Sequence, residues 1–180
     1  MTTFPHRLMG ASVLDVDTYE EVEADRGATT QALVVVLASS LAGGIGSAGF
    51  SPIGVPLVPG VLFWSAVSLI AWAAWALLVF EIGGRLLPEP ETRVDVGELL
   101  RTIGFSSAPG VLRVFGVVPM LALPVFALTT LWMLVAMIVA VRQALDYQST
   151  ARAIGVCALG LAFAVLLAFG LGFFFGPVVS

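Results

Sequence analysis

The charged side chains that could do chemistry in this chain stand at the ends of long apolar runs. Glu81 and Arg85 are four residues apart, and Arg142 and Asp146 repeat that spacing. Opposite charges at this spacing share one helix face, so we expect two ion pairs that anchor helix ends. Arg113 lies in an otherwise uncharged stretch, where an unpaired charge would be costly. We expect Glu81 or Asp146 to hold Arg113 across helices, and a lipid phosphate is the alternative partner.

Catalytic machinery is not evident in the sequence. Enzymes that work inside membranes place paired titratable groups in the apolar interior. The chain has one cysteine, one histidine without ligand-spaced neighbours, and no nucleophile–base pair or metal-ligand cluster. The stretch SSLAGGIGSAG lacks the GK[ST] ending of a phosphate loop. We therefore predict a protein that is not an enzyme, with no catalytic residue, cofactor or metal site.

The composition is that of an integral membrane protein. Of the 180 residues, 59% are hydrophobic and 11% are charged, and the mean hydropathy is +1.04. A soluble domain of this length would be about half apolar and about a quarter charged. The net charge of −4 argues against nucleic acid as a partner. Other integral membrane proteins and lipids are the expected partners, in a homo- or hetero-oligomer.

The apolar runs and the arginines together predict an all-α bundle with five membrane spans. A span needs about 20 apolar residues, and arginine collects in cytoplasmic loops. Five spans place all eight arginines on one side. We expect an acidic cytoplasmic tail at 1–28 and a membrane domain at 29–180, in the bacterial inner membrane, with the N-terminus in the cytoplasm and the C-terminus outside. The predicted spans are about 30–50, 61–83, 108–118, 125–145 and 153–175, with a cytoplasmic loop at 84–107.

The third span is the unusual one. Pro119 and Pro124 favour a break, because proline lacks an N–H and clashes with the preceding turn. The third span is then short, tilted or partly re-entrant. In the loop before it, Leu99, Leu100 and Ile103 share one side of a helix with charged residues around them. That pattern predicts a helix lying on the cytoplasmic surface of the membrane.

The acidic tail contains a patterned segment. The sequence TYEE, Thr18 to Glu21, fits a capping box and predicts a short helix that ends near Gly27. Tyr19 and Val22 share one face of that helix and are candidates for docking a partner. The alternative is an acidic, solvated helix near the lipid headgroups.

Small residues mark two faces for close helix packing. Gly43, Gly44 and Gly46 lie in the first span, and Gly172 and Gly176 lie at small-xxx-small spacing in the last one. Neutral outer loops and such faces favour burial against other membrane helices.

Four stretches carry a family resemblance: LDVDTYEEVEADRGATTQAL, RLLPEPETR, RTIGFSSAPGVLRVFG and LWMLVAMIVAVRQALDY. Together they resemble bacterial members of the Yip (Ypt-interacting protein) family of small five-helix membrane proteins. The resemblance implies five spans with a cytoplasmic N-terminus and supplies no catalytic residues. The eukaryotic branch comprises adaptors of Rab-type GTPases, and its aspartate-leucine-x-glycine-proline motif is not in this sequence.

These observations leave three functional hypotheses. The first is a non-enzymatic membrane adaptor or accessory subunit of a larger membrane protein complex. Protein–protein contacts in the membrane would attach it to that complex. The second is a small oligomeric transporter component with Arg113 and Glu81 in its path. The third is a membrane-shaping or lipid-binding protein that acts through the short third span.

Overall fold

The computed structural model describes residues 2–50, 57–90, 92 and 95–175, with the backbone alone for Leu57 and for 167–175. Within those ranges the chain forms seven α-helices and no strand, which confirms the all-helical class. The helices are α1 (Phe4–Ser12), α2 (Val16–Ala24), α3 (Ala28–Gly46), α4 (Leu57–Glu81), α5 (Val96–Ser106), α6 (Pro119–Ala144) and α7 (Thr150–Phe175). Shorter segments are 3₁₀ turns at Ser47–Phe50 and Ala108–Val117 and a π turn at Ile82–Leu86.

In the part of the chain that the structure describes, three segments are long and apolar enough to cross a bilayer. They are Ala28–Phe50, Val58–Leu86 and Pro119–Ala144. They overlap the first, second and fourth predicted spans. The part of α7 that could be assessed, Thr150–Leu166, is also apolar but shorter. The chain is therefore a multi-pass membrane protein.

Helix α5 leads directly into the 3₁₀ segment that follows it, and together they lie beside α3. Close approaches occur in register along the two segments: Gly104 at Ala32, Gly110 at Ser39, and Arg113 at Gly46. Because both residue numbers rise together, the two segments are parallel. We predicted an apolar side of α5 facing a membrane surface; in the structure this side packs within the chain, and Gly104 lies beside Ala32, near the start of α3. Small residues let α5 enter the bundle, which buries its apolar face, including Leu99 and Ile103.

The 3₁₀ segment Ala108–Val117 has a sequence pattern that matches its geometry. Ser107, Gly110, Arg113 and Gly116 recur every three residues. A 3₁₀ helix has three residues per turn, so these four positions share one face. Three of the four are small, which lets this face lie against α3. The segment is ten residues long, whereas most 3₁₀ helices stop after three or four.

The turn before α6 is tighter than we expected. We predicted a break between Pro119 and Pro124, but α6 begins at Pro119 and contains Pro124. The chain reverses at Val118, whose backbone is extended (φ −79°, ψ 115°). Pro119 occupies the first helical turn, where a backbone N–H needs no partner within the helix. The helix of the predicted fourth span, α6, therefore starts at 119 rather than at 125.

Two apolar cores hold the bundle together. One joins α4, α5, α6 and α7 through buried residues that include Val79, Leu99, Val141 and Val156. The other joins the N-terminal helices to α3, α5 and α6 through Tyr19, Val22, Val35 and Phe105. The N-terminal helices thus belong to the folded bundle and are not a free tail.

Candidate functional site

Glycines of α3 make room for Arg113 and for α4. A methyl group at Gly46 would overlap the carbonyl oxygen of Arg113, and one at Gly43 would lie 3.8 Å from the Arg113 Cδ. A methyl group at Gly44 would lie 2.6 Å from the carbonyl oxygen of Val61 on α4. Gly44 and Gly46 therefore stand at close approaches of α3 to its neighbours, whereas Gly43 is in ordinary van der Waals range. Of the second predicted packing pair, Gly176 lies outside the described residues, and Gly172 lies where α7 is described by its backbone alone.

The Arg113 guanidinium binds hydroxyl groups of α6. Its Nε donates to Thr129 Oγ1 at 3.2 Å, and a terminal nitrogen donates to Thr130 Oγ1 at 2.8 Å. The guanidinium carbon also lies 5.3 Å from the ring centre of Phe126, within the range of a cation–π contact. Among the residues that the structure describes, no carboxylate forms an ion pair with Arg113.

The expected carboxylate partners of Arg113 lie elsewhere. Glu81 ends α4 and pairs with Arg85 of the π turn, at 2.8 Å, with both side chains largely exposed. Asp146 lies beyond the end of α6, in a left-handed backbone conformation (φ 52°). Arg113 is level with the middle of α6, so neither carboxylate is near it. We correct the prediction accordingly: hydroxyl groups hold this arginine.

The expected pair of Arg142 with Asp146 also has a different geometry. The Arg142 Nε donates to the carbonyl oxygen of Tyr147 at 3.3 Å. The helix ends at Ala144, so Asp146 no longer follows the helical spacing on which the ion pair depended. The side chain of Tyr147 closes this turn by donating to the carbonyl oxygens of Gly83 and Leu87, each at 2.8 Å.

A cavity of about 250 Å³ lies next to Arg113, between α4 and α6. Four helical segments contribute to its wall. The polar and sulfur-bearing side chains that line it are Ser39, Ser40, Ser68, Trp72, Trp75, Ser107, Arg113, Met133 and Met137. Arg113 is the one charged residue of this lining. The cavity is therefore mostly apolar, with serine hydroxyls and one positive charge in its wall, and it lies within the helical bundle.

Two indole groups of the cavity wall have unused hydrogen-bonding capacity. The Nε1 atoms of Trp72 and Trp75 are buried and have no hydrogen-bond partner among the described residues. An unpaired buried donor costs about 1–3 kcal/mol. In the cavity wall the serine hydroxyls can donate or accept hydrogen bonds, whereas Arg113 can only donate.

Tyr19 and Val22, the residues predicted to dock a partner, are fully buried within the chain itself. The Tyr19 hydroxyl donates to the carbonyl oxygen of Ala11 at 3.1 Å. The helix around them starts earlier than the TYEE pattern predicted. Asp15 is the N-cap, and its carboxylate accepts from the backbone N–H of Thr18 at 3.3 Å. The proposed docking face therefore holds α2 on its own protein.

Arg7 joins α1 to α2. Its guanidinium contacts Glu21 at 2.9 Å and Asp25 at 2.8 Å, and the arginine side chain is only 2% exposed. Hydrogen bonds from Thr2, followed by one from Arg7, lower the pKa of Glu21 to about 2. A third partner, Gln31 at 3.2 Å, links Arg7 to the start of α3. The ion pairs join the two N-terminal helices, and the hydrogen bond to Gln31 connects them to the bundle.

Arg101 makes the matching connection from α5 to α2. Its Nε donates to the carbonyl oxygens of Val22 and Glu23, each at 3.1 Å. The carboxyl of Glu23 lies in a different environment. Burial, helped by the negative charges of Asp146, Glu98 and Glu20, raises its pKa to about 7. This junction therefore contains an acid that titrates near neutral pH.

Sequence reasoning missed Arg7 and Arg101 as fixed residues. Their partners lie far away along the chain or are backbone carbonyls, so neither shows a helical spacing. One signal for the site was available in the sequence: the three-residue repeat around Arg113. Two of its members, Ser107 and Arg113, line the cavity. Thr129 and Thr130 gave no such signal, because hydroxyl groups are common in membrane helices.

Comparison with known proteins identifies one family. A family model described as the Yip1 domain matches residues 13–171. The matched region covers α2 through most of α7 and contains all the residues that line the cavity. No curated protein matches the chain, and no solved structure matches it.

Proposed function

Because this chain belongs to the Yip1 family of membrane proteins, we propose that it is a non-enzymatic, lipid-binding protein. In this proposal the cavity beside Arg113 receives the acceptor group of a membrane lipid. One observation carries it. Arg113 has two hydroxyls and an aromatic ring as partners, and it faces a cavity instead of a carboxylate.

Arg113 lies at the depth of the hydrocarbon layer, where an arginine without a carboxylate partner is costly. Its partner Thr129 lies about 15 Å from the Pro119 end of α6 and about 22 Å from the Ala144 end. A hydrocarbon layer of about 30 Å placed anywhere along this helix contains that level. An arginine at the centre of a membrane helix costs about 2.5–3.5 kcal/mol on insertion scales. A bound anion would offset part of this cost.

The chemistry of the wall selects the kind of ligand. Among the described residues that line the cavity, Arg113 is a charged donor, the four serine hydroxyls can donate or accept, and the remaining side chains are mostly apolar. The complement is an oxygen-rich anionic group, such as the phosphate or carboxylate of an acidic lipid. A cationic ligand would be repelled by Arg113.

A transporter path through Arg113 and Glu81 has less support. Glu81 is not among the residues that line the cavity, and it is already paired with Arg85. Proton or ion relays in membranes use chains of interacting titratable groups. The cavity wall contributes a single such group, which favours binding over transport.

We also propose the five-span topology for this function. The parallel course of α3 and the α5–3₁₀ run supports a third crossing that is longer than 108–118, and α7 supplies the fifth. The N-terminus would be cytoplasmic and the C-terminus outside, in the bacterial inner membrane. In a Cys157→Ser background, an impermeant thiol reagent on intact cells should label Ser180→Cys and spare Thr2→Cys. The reverse pattern would overturn the topology.

Native mass spectrometry tests lipid binding directly. We expect protein purified from mixed lipid to retain an acidic lipid in preference to a zwitterionic one. Arg113→Gln should reduce this retention about tenfold, which corresponds to the loss of about 1.4 kcal/mol. Arg85→Gln is the matched control, because it removes an exposed arginine outside the cavity. Equal retention by both variants and the wild type would contradict the proposal.

A second candidate function is an accessory subunit of a membrane complex, and α4 favours it. Only 11% of the residues in the apolar stretch of α4 are buried, compared with 44% in that of α3. Exposed residues such as Ile70 and Leu77 could contact the helices of a partner or a second copy. Photo-crosslinkers at these two positions should give protein adducts in native membranes. Adducts with lipid alone would leave lipid binding as the function.

A further inference from the structure

The N-terminal helices form a hairpin whose turn lies beside the middle of α6. The Nε1 of Trp132 donates to the carbonyl oxygen of Ser12 at 2.7 Å. Ser12 is the last residue of α1, and Trp132 lies near the centre of the 26-residue α6. Towards the end of α6, Gln143 Nε2 donates to Glu20 of α2 at 3.1 Å. The hairpin thus extends along α6 from its Ala144 end to its middle.

The position of Trp132 sets the depth of the turn. Trp132 lies about 18 Å from the Ala144 end of α6 and about 20 Å from the Pro119 end. A helix of this length is about 39 Å long, whereas the hydrocarbon layer is about 30 Å thick. Wherever α6 spans that layer, Trp132 is at least about 9 Å below either surface. The Ser12 carbonyl lies within one tryptophan side-chain length of this level, because it accepts from the indole Nε1.

The turn end of this hairpin carries exposed apolar side chains. Met9 and Val13 are each 71% exposed, and Val16 is 40% exposed. Met9 lies in the last turns of α1, and Val13 and Val16 flank the turn into α2, so these exposed apolar side chains cluster at the turn end of the hairpin. The side that faces the bundle carries Arg7 and Ala11, which are buried. An apolar cluster at this depth has no reason to face water.

The apolar cluster continues onto a membrane-spanning helix. Leu128, Leu131 and Val135 surround Trp132 on α6 and are themselves 40–68% exposed. Lipid chains must cover these residues if α6 spans the bilayer. The same chains then reach the hairpin, because its turn is hydrogen-bonded to Trp132. Interfacial helices bury their apolar faces about 5–10 Å into a leaflet, which matches the depth derived from α6.

We infer that the α1–α2 hairpin is a re-entrant wedge that inserts its turn, Ser12–Asp15, into one leaflet, with acyl chains packed against Met9 and Val13. Asp15, in the turn itself, is the N-cap of α2 and accepts hydrogen bonds from the backbone N–H and the hydroxyl of Thr18. The exposed Asp17 lies beside the turn. The Arg7 cluster with Glu21 and Asp25 lies at the opposite end of the hairpin from the turn, towards the surface. The wedge adds volume to a single leaflet, the one at the Ala144 end of α6, and so favours curvature of the membrane. This inference does not depend on ligand binding at Arg113.

Spin labels on single cysteines in a Cys157→Ser background test the wedge. The full chain is reconstituted in vesicles of phosphatidylethanolamine and phosphatidylglycerol. Collision rates are then compared for oxygen, which concentrates among acyl chains, and for a water-soluble nickel chelate. Labels at Met9→Cys and Val13→Cys should favour oxygen several-fold, like the lipid-facing reference Leu131→Cys. The exposed residue Arg26 supplies the matched aqueous reference, Arg26→Cys.

A nickel accessibility at Val13→Cys equal to that at Arg26→Cys would overturn the inference. A second measurement avoids the labels altogether. A lipid with a photoreactive diazirine in its acyl chain should form adducts on the peptide that contains Met9 and Val13. Adducts confined to α6 would show that acyl chains do not reach the hairpin, and the wedge would be rejected.

Discussion

Arg7 and Arg113 are two arginines withdrawn from solvent in different parts of the molecule, and their partners differ in kind. Arg7 is 2% exposed and touches two carboxylates, on Glu21 and Asp25. Arg113 is half-buried and touches the hydroxyls of Thr129 and Thr130. The charge of Arg7 is neutralised by the chain itself. The charge of Arg113 is left facing a cavity.

The difference separates an arginine that holds the structure from one that is available to a ligand. Replacing one member of a buried ion pair leaves its partners uncompensated and costs stability. Replacing a charge that has only neutral partners removes a desolvation cost and can leave stability unchanged. The two arginines should therefore respond in opposite ways to the same substitution.

Arg7→Met gives the largest expected effect. Two carboxylates and Gln31 lose their partner, so we expect a loss of about 3 kcal/mol in the docking of the N-terminal helices. Hydrogen exchange of residues 4–24 in detergent should rise towards that of an unfolded segment. Arg26→Met is the control, because Arg26 is exposed and should change exchange little. Unchanged protection in Arg7→Met would end the contrast between the two arginines.

Gly46→Ala should perturb the Arg113 region selectively. The added methyl group would overlap the carbonyl oxygen of Arg113, and such overpacking costs about 1–3 kcal/mol. Thermal unfolding should begin earlier, and hydrogen exchange should rise in 108–117 but not in α1. Gly155→Ala is a matched control, since a methyl group there meets nothing within 4 Å. Equal loss of stability in both variants would mean that the α3 contact is not specific.

Glu23 gives the Arg7 side of the molecule a pH dependence. Its pKa is about 7 in the folded chain and about 4.3 in an unfolded one. The folded state therefore takes up a proton first, and docking of α2 strengthens as the pH falls from about 7 to about 4.5. The gain is about 1 kcal/mol once solvent screening is allowed for. Glu23→Gln should flatten this dependence in a hydrogen-exchange titration, whereas Glu20→Gln should leave most of it.

The long helices of this bundle were predictable, and the N-terminal hairpin was not. Hydropathy alone locates α3, α4 and α6, because their apolar runs approach or exceed the length of a span. The helix α1 has nine residues, with a proline in its first turn and a glycine inside, so it shows no strong periodicity. Its place in the fold depends on Arg7 and Trp132, whose partners are 14 and 120 residues away. Such contacts leave no local pattern.

The candidate site was predictable in part. Arg113 stood out as a charge in an apolar stretch, and the repeat Ser107, Gly110, Arg113, Gly116 was present in the sequence. The partner of Arg113 was not predictable, because charge counting considers carboxylates and overlooks threonine. The cavity was also hidden, since its wall combines residues from α3, α4, the 3₁₀ segment and α6. Only the packed arrangement brings them together.

Arg113→Met should have the smallest effect on stability. It is also the sharpest test of the difference between Arg7 and Arg113. Methionine keeps a flexible apolar side chain beside Phe126 but removes the charge, so no partner is left with an uncompensated charge. Thr129 can still donate to the carbonyl oxygen of Val125, at 2.7 Å. We expect the thermal unfolding free energy in detergent to stay within about 0.5 kcal/mol of the wild type or to rise. A loss as large as that of Arg7→Met would mean that Arg113 is a structural clamp. If the same variant retained acidic lipid as well as the wild type, lipid binding at Arg113 would be rejected.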